Sequence, residues 1–248
     1  MTTEFTAPSP RNTRSVMASF WADHSKDASL EEMFLDYDAT KLCAEEQPEI
    51  LSLLPALADK RVLELGAGIG RFTGLLAKSS RHVTAVDFME TFISKNRDNN
   101  SHYGNIEFIQ ADVTKLDFPP DSYDVIFSNW LLQYLTEDEV WKLTGKTLSW
   151  LCKDGLFFFR ETCFYPVNHG PLGWMECNPT FYRDSAYYDN IIRSVEQSNP
   201  ANGTGGQATR MGFDVLMRRG LESYVKVRNQ KNQFCWLVQK VQRMSDVI

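Results

Sequence analysis

The chain contains no run near the roughly 18 to 20 apolar residues that a membrane span needs, and residues 1–11 lack the charged start and apolar stretch of a secretory signal. A membrane protein and an exported one are therefore not expected, and the cytoplasm is the expected compartment. Basic residues are outnumbered, 26 Lys and Arg against 32 Asp and Glu, for a net charge of -6. A protein that wraps nucleic acid needs the opposite balance, because it must neutralise phosphates. The five cysteines are scattered without a Cys-x-x-Cys pair, and the four histidines never fall at i, i+4. No metal site is expected from such spacing, and the thiols read as buried or idle. There is no internal repeat.

What is present is enough for a core: 43% hydrophobic residues, 12% aromatic, in 248 residues. Residues 1–12 are polar, with Pro8 and Pro10, and read as a flexible tail. Residues 13–248 read as one domain, opening with a helical cap over 13–57. Strands are expected at Arg61–Leu65, His82–Asp87, Ile106–Gln110, Asp124–Ser128 and Gly155–Arg160, where three consecutive phenylalanines imply burial on both faces. Helices are expected over Gly70–Lys78, Met89–Asn100 and Asp184–Ser198, and the capping box Thr136-Glu137-Asp138-Glu139 opens another running to Leu151. Strands alternating with helices imply an α/β fold with a mainly parallel sheet covered on both faces. Residues 163–183, rich in Pro, Gly and aromatics, read as a substrate loop. Glu222–Arg228 and Gln233–Gln239, separated by Asn229-Gln230-Lys231-Asn232, suggest a C-terminal antiparallel hairpin.

Ligands of doubly wound sheets bind beyond the carboxyl ends of the strands. There the first strand runs into Glu64-Leu65-Gly66-Ala67-Gly68-Ile69-Gly70 and then a helix. Glycine permits positive φ and lets a ligand lie against the backbone. A tight turn with no ligand would read the same way. Asp87, ending the second strand, offers a carboxylate to both hydroxyls of a ribose. Glu64, Asp112 after the third strand and Asn129 after the fourth surround the turn with acidic groups and carbonyls. These serve a diphosphate poorly and a sulfonium cation well. A nicotinamide enzyme would show Gly-x-Gly-x-x-Gly instead of three alternating glycines.

This combination resembles the class I methyltransferases, a Rossmann-like α/β fold with a mostly parallel seven-stranded sheet that uses S-adenosylmethionine and releases S-adenosylhomocysteine. The resemblance implies Gly66 and Gly68 against the methionine portion, with Phe88 beside Asp87 at the ribose. Asp112 and Val113 fall at adenine, and Asn129 and Arg71 near the methionine carboxylate. Asp112 serves equally as a loop cap.

Longer stretches resemble the phosphoethanolamine N-methyltransferases of plants and nematodes, above all the first of their two methyltransferase domains. They include Phe20-Trp21-Ala22-Asp23-His24-Ser25, Ser128-Asn129-Trp130-Leu131-Leu132-Gln133-Tyr134-Leu135, Phe158-Phe159-Arg160-Glu161 and Asn178-Pro179-Thr180-Phe181-Tyr182-Arg183. The implied reaction is methylation of phosphoethanolamine to phosphomonomethylethanolamine, toward phosphocholine and phosphatidylcholine, with a second methyltransferase domain in a longer parent chain. A phosphomonoester needs cations and hydroxyls, which Thr180, Tyr182, Arg183, Tyr188 and Lys226 offer. A methylated amine suits the aromatic walls Trp21, Trp130 and Tyr134. Trp130 and Tyr134 read equally as helix packing, and Lys226 as a solvated edge charge.

The amine must lose its proton before it attacks. Single-domain relatives use a tyrosine near the N-terminus and a histidine after the fourth strand; this chain has Trp21 and Tyr134 there. Tyr134, Trp21 and Asp36 are the catalytic candidates, with His24 a further proton acceptor. Two other readings use the same cofactor residues: a class I enzyme acting on another small amine or acid, and a non-catalytic cofactor-binding regulatory domain. Convergence of Tyr182, Arg183 and Lys226 on one pocket would favour the phosphobase.

Overall fold

The computed structural model describes residues 10–36, 38–163, 180–199 and 209–243. Five strands, β1 (Arg61–Leu65), β2 (His82–Asp87), β3 (Ile106–Gln110), β4 (Tyr123–Asn129) and β5 (Leu151–Thr162), pair in parallel. Three more, β6 (Glu196–Asn199), β7 (Thr209–Gly220) and β8 (Gln233–Arg243), extend the sheet antiparallel beyond β5. The order is β3-β2-β1-β4-β5-β8-β7-β6, which makes eight strands where seven were expected. Two strands, β6 and β7, are additional to those expected, while the expected strand Glu222–Arg228 is a helix. Residues 196–198 of β6 belong to the expected helix Asp184–Ser198, which stops at Ser194.

The order reverses between β1 and β4, so their carboxyl ends diverge and leave a crevice. Helices α1 (Pro10–Asp23), α2 (Leu30–Phe34) and α3 (Ala39–Leu53) precede β1; α4 (Thr73–Ser79) and α5 (Glu90–Asn100) flank β2; α6 (Glu137–Trp150) leads into β5. α6 begins at the expected capping box, with Thr136 N–H donating to the Glu139 carboxylate at 2.8 Å. α1 starts at Pro10, inside the stretch read as a tail, whose first nine residues lie outside the described ones.

Two cores cover the sheet. Phe157 and Phe159 point into one, with α6 and α7 (Ser185–Ser194), while Phe158 points into the other, with α3, α4 and α5. Each such ring contributes about 1.5–3 kcal/mol on burial. Phe158 stacks on Phe127, and Phe159 stacks on Trp236 of β8.

The expected C-terminal hairpin is corrected. Glu222–Arg228 is a helix, α8, and the antiparallel partner of β8 is β7. The alternation of Tyr224, Lys226 and Arg228 with Val225 and Val227 imitates a strand. A tertiary cap overrides it: the Glu49 carboxylate on α3 accepts the N–H groups of Glu222 and Ser223, each at 2.8 Å. Asn229 closes the helix in the left-handed region. β7 escaped notice because a bulge between Val215 and Met217 breaks its period of two and turns Leu216 outward.

Candidate functional site

The crevice is a cavity walled by the glycine turn, the ends of β2, β3 and β4, and helices α1 and α2. Every residue read as cofactor-binding lines it: Glu64, Gly66, Gly68, Arg71, Asp87, Phe88, Asp112, Val113 and Asn129. Two glycines show why the turn needs them. Gly68 has φ +55°, and a Cβ there would meet Met33 Sδ at 2.5 Å; Gly70 has φ +85°, and its Cβ would lie 2.1 Å from Asn96 Oδ1.

Asp87 closes that turn. One carboxylate oxygen accepts Gly68 N–H at 2.7 Å and the other accepts Met89 N–H at 2.9 Å. Burial pushes its carboxyl up to about 6 against those donors. The carboxylate keeps acceptor capacity for a hydroxyl. Glu64 accepts the Thr73 hydroxyl at 2.5 Å, and burial pushes it up to about 8. It is therefore largely protonated at neutral pH. Asn96 of α5 donates to Thr73, and Asn100 donates to Asn96 and to Gly70 O, so a buried chain of amides fixes the turn from outside the cavity.

Arg71 is nearly buried. It pairs with Glu46 and lies against the rings of Phe34, Phe72 and Trp130, while its Nη2 has no hydrogen-bond partner. Asp112 accepts from the N–H and hydroxyl of Thr114, as a loop cap does, and still lines the cavity beside Arg14 of α1. Arg14 also pairs with Glu139 at 2.5 Å. These residues fit an adenosine that carries an amino acid. A bare glycine wall, a carboxylate with acceptor capacity and a guanidinium side chain share one cavity.

The three aromatic candidates Trp21, Trp130 and Tyr134 also line the cavity. Trp130 and Tyr134 do not sit on a helix face. Trp130 takes φ +57°, an unusual left-handed geometry for a large side chain, and Leu132–Tyr134 form one 3-10 turn. That turn is clamped from two sides. Glu161 accepts the N–H groups of Leu131, Leu132 and Gln133 at 3.1, 2.8 and 3.0 Å, and Arg183 donates to the carbonyls of Leu132 and Leu135. Burial outweighs the three donors and pushes Glu161 up to about 7. Burial also raises the Tyr134 phenol well above its ordinary value, despite hydrogen bonds to Gln133 and Thr180.

The remaining candidates stand elsewhere. Asp36 gives both carboxylate oxygens to Arg228, at 2.6 and 2.7 Å, and His24 Nδ1 faces Phe20 O. Lys226 is exposed on α8 and pairs with Glu45 at 2.7 Å. Arg183 is committed to the turn, and Tyr188 is packed in the core against Phe159 and Trp236. The cavity lining does not include Thr180 or Tyr182. Among the described residues, Tyr182, Arg183 and Lys226 are not brought together in the lining of this cavity, although Thr180 is hydrogen-bonded to Tyr134 on its wall; residues 164–179 of the expected substrate loop lie outside the described ones.

Reading from sequence missed Arg14, Met17 and Met33 on the covering helices, and the buried pair Glu46 and Arg160. A visible signal existed for the last: Arg160-Glu161 places two charges at the end of a strand buried on both faces.

Comparison with known proteins agrees with this architecture. A family model described as a methyltransferase domain matches residues 62–155. Phosphoethanolamine N-methyltransferase 1 of Zea mays is 43% identical over 235 residues, 94% of this chain and 45% of its own length. The Caenorhabditis elegans protein of the same name is 33% identical over 92% of this chain and 48% of its own. The structure of Haemonchus contortus phosphoethanolamine N-methyltransferase 1 with phosphoethanolamine and S-adenosylhomocysteine superposes with a TM-score of 0.84 at 32% identity, covering 96% of this chain and 51% of that one. The chain spans about half the length of these relatives.

Proposed function

Because the chain is a homologue of the plant and nematode phosphoethanolamine N-methyltransferases with a class I methyltransferase fold, we propose that it transfers a methyl group from S-adenosylmethionine to the nitrogen of phosphoethanolamine. The product is phosphomonomethylethanolamine, on the route to phosphocholine and phosphatidylcholine. The observation that carries this reading is similarity over nearly the whole chain to enzymes of that name, together with a cavity lined by all nine cofactor candidates. The phosphobase itself rests on the homology, since among the described residues Tyr182, Arg183 and Lys226 do not line this cavity. We also propose a cytoplasmic setting and a parent chain with a second methyltransferase domain. Among the described residues no helix is long and apolar enough to cross a membrane, and the relatives are about twice as long.

The cofactor supplies a methyl group on a sulfonium, already a good leaving group, so the protein's work is to place the acceptor and exclude water. Asp87 holds the ribose, Gly66 and Gly68 let the amino acid lie on the backbone, and Arg71 takes its carboxylate. Asp112 and Val113 flank the adenine. Met17 and Trp21 on α1 and Met33 on α2 cover the cavity. Tyr134 keeps its proton at neutral pH and acts as a hydrogen-bonding wall for the amine, in a lining shared with Trp21 and Trp130. The amine enters as the free base, because attack needs its lone pair.

Substrate choice is tested by comparing phosphoethanolamine with ethanolamine as acceptors. The proposal expects turnover of the first and at least a hundredfold lower kcat/KM for the second. Equal turnover would transfer the chain to the class I enzymes acting on other small amines.

A further inference from the structure

The buried charges beneath the cavity do not balance. Glu46 on α3 splits its carboxylate between two guanidiniums, Oε1 to Arg71 Nη1 and Oε2 to Arg160 Nη2, the latter at 3.0 Å. The side chains of Glu46 and Arg160 are both 0% exposed, and that of Arg71 is 6% exposed. Arginine stays charged in proteins, so one carboxylate facing two guanidiniums leaves an excess positive charge out of water, which is costly unless something pairs it.

Among the described residues no second carboxylate pairs with either guanidinium. Glu64 is the nearby acid on the cavity wall, and it is largely protonated at neutral pH. Cys43 Sγ accepts weakly from Arg71, and Asn129 Oδ1 accepts from Arg160 at 3.3 Å; both groups are neutral. The Trp130 ring lies 3.4 Å from the Arg160 guanidinium carbon and 5.5 Å from that of Arg71, and a π-face offsets only part of a charge. Arg71 lines the cavity with Nη2 unpartnered, whereas Arg160 is not part of the lining.

Building on the cofactor reading above, we infer that Arg160 is a positioning residue for cofactor binding: by occupying one oxygen of Glu46, it leaves Arg71 an uncancelled charge and a free donor for the carboxylate of the cofactor's amino acid. Arg71 directly follows Gly70 and shares its wall with Gly66, Gly68 and Asn129, where the amino acid falls once the ribose is on Asp87. Without Arg160, both oxygens of Glu46 are available to Arg71, and the resulting fork-to-fork pair is neutral and turned away from the ligand.

The test measures binding, by calorimetry, of S-adenosylhomocysteine and of 5′-methylthioadenosine, which lacks the amino acid. Arg160→Gln is expected to weaken S-adenosylhomocysteine at least tenfold and leave 5′-methylthioadenosine within about twofold. Adding Glu46→Gln to Arg160→Gln removes the competitor for Arg71 and is expected to restore S-adenosylhomocysteine binding. If the single variant does not fold, the double variant decides: it should keep the wild-type preference for S-adenosylhomocysteine over 5′-methylthioadenosine. Equal weakening of both nucleosides, or a double variant without that preference, overturns the inference. So does a raised KM for phosphoethanolamine with S-adenosylhomocysteine binding unmoved, which would make the anion the substrate phosphate. A wild-type chain that binds neither nucleoside overturns the cofactor reading itself.

Discussion

The rings of Trp21 and Tyr134 meet edge to face with centroids 5.1 Å apart, and this contact ties the covering helix α1 to the turn that follows β4. An aromatic pair of this kind contributes about 0.5–1.5 kcal/mol beyond its buried area. Trp21→Ala is expected to lower kcat/KM by roughly 10- to 100-fold, and Trp21→Phe by less than about threefold, because the cover over the cavity then survives. An alanine variant with unchanged steady-state kinetics would remove α1 from the catalytic arrangement.

Tyr134 faces the same cavity with its phenol held protonated by burial. Tyr134→Phe should reduce kcat while leaving the midpoint of the pH profile where it was. A displaced midpoint would instead make the phenol a proton acceptor.

The proposed role of Asp87 on the cofactor ribose carries a defined pH dependence. Its carboxyl is pushed up to about 6, so the hydrogen-bond-accepting form is present above that pH and lost as pH falls through it. Affinity for S-adenosylhomocysteine should drop below about pH 6. Asp87→Asn should bind more weakly at pH 8 and show no such drop, checked by titration between pH 5 and 8. Hydrogen bonds to a charged group are each worth about 1.5–3 kcal/mol, so Asp87→Ala should lose at least about tenfold in affinity.

Stability should run the other way with pH. Glu64 and Glu161 start from an ordinary value of 4.5 and are raised in the folded chain to about 8 and about 7. The folded chain therefore binds more protons than the unfolded one through this window, and stability present below about pH 4.5 is lost as pH rises toward 8. Each group accounts for a contribution on the order of a few kcal/mol. Melting of the ligand-free chain should fall from pH 5.5 to 8.5, and Glu64→Gln should flatten the upper part of that slope. A melting temperature that climbs across the range would contradict the burial assigned to both groups.

The cavity wall proposed for the cofactor was legible because it is local: a strand, three alternating glycines and acidic or amide residues at successive strand ends fall on one edge whenever the sheet is parallel. Substrate candidates such as Lys226 and Arg183 were not legible. Their positions depend on contacts far away in the chain, Lys226 on a helix capped from Glu49 and Arg183 on the carbonyls of Leu132 and Leu135. Glu46 and Arg160 stand 114 residues apart, so no local pattern could pair them. β7 was hidden by its bulge, and α8 by an alternation suited to a strand.

The reaction is tested most directly by transfer of radiolabelled methyl from S-adenosylmethionine to phosphoethanolamine and to its mono- and dimethyl forms. Labelled phosphomonomethylethanolamine is expected from phosphoethanolamine, with no turnover of the two methylated acceptors. Absence of label in all three products, from a chain shown to bind S-adenosylhomocysteine, would contradict that reaction.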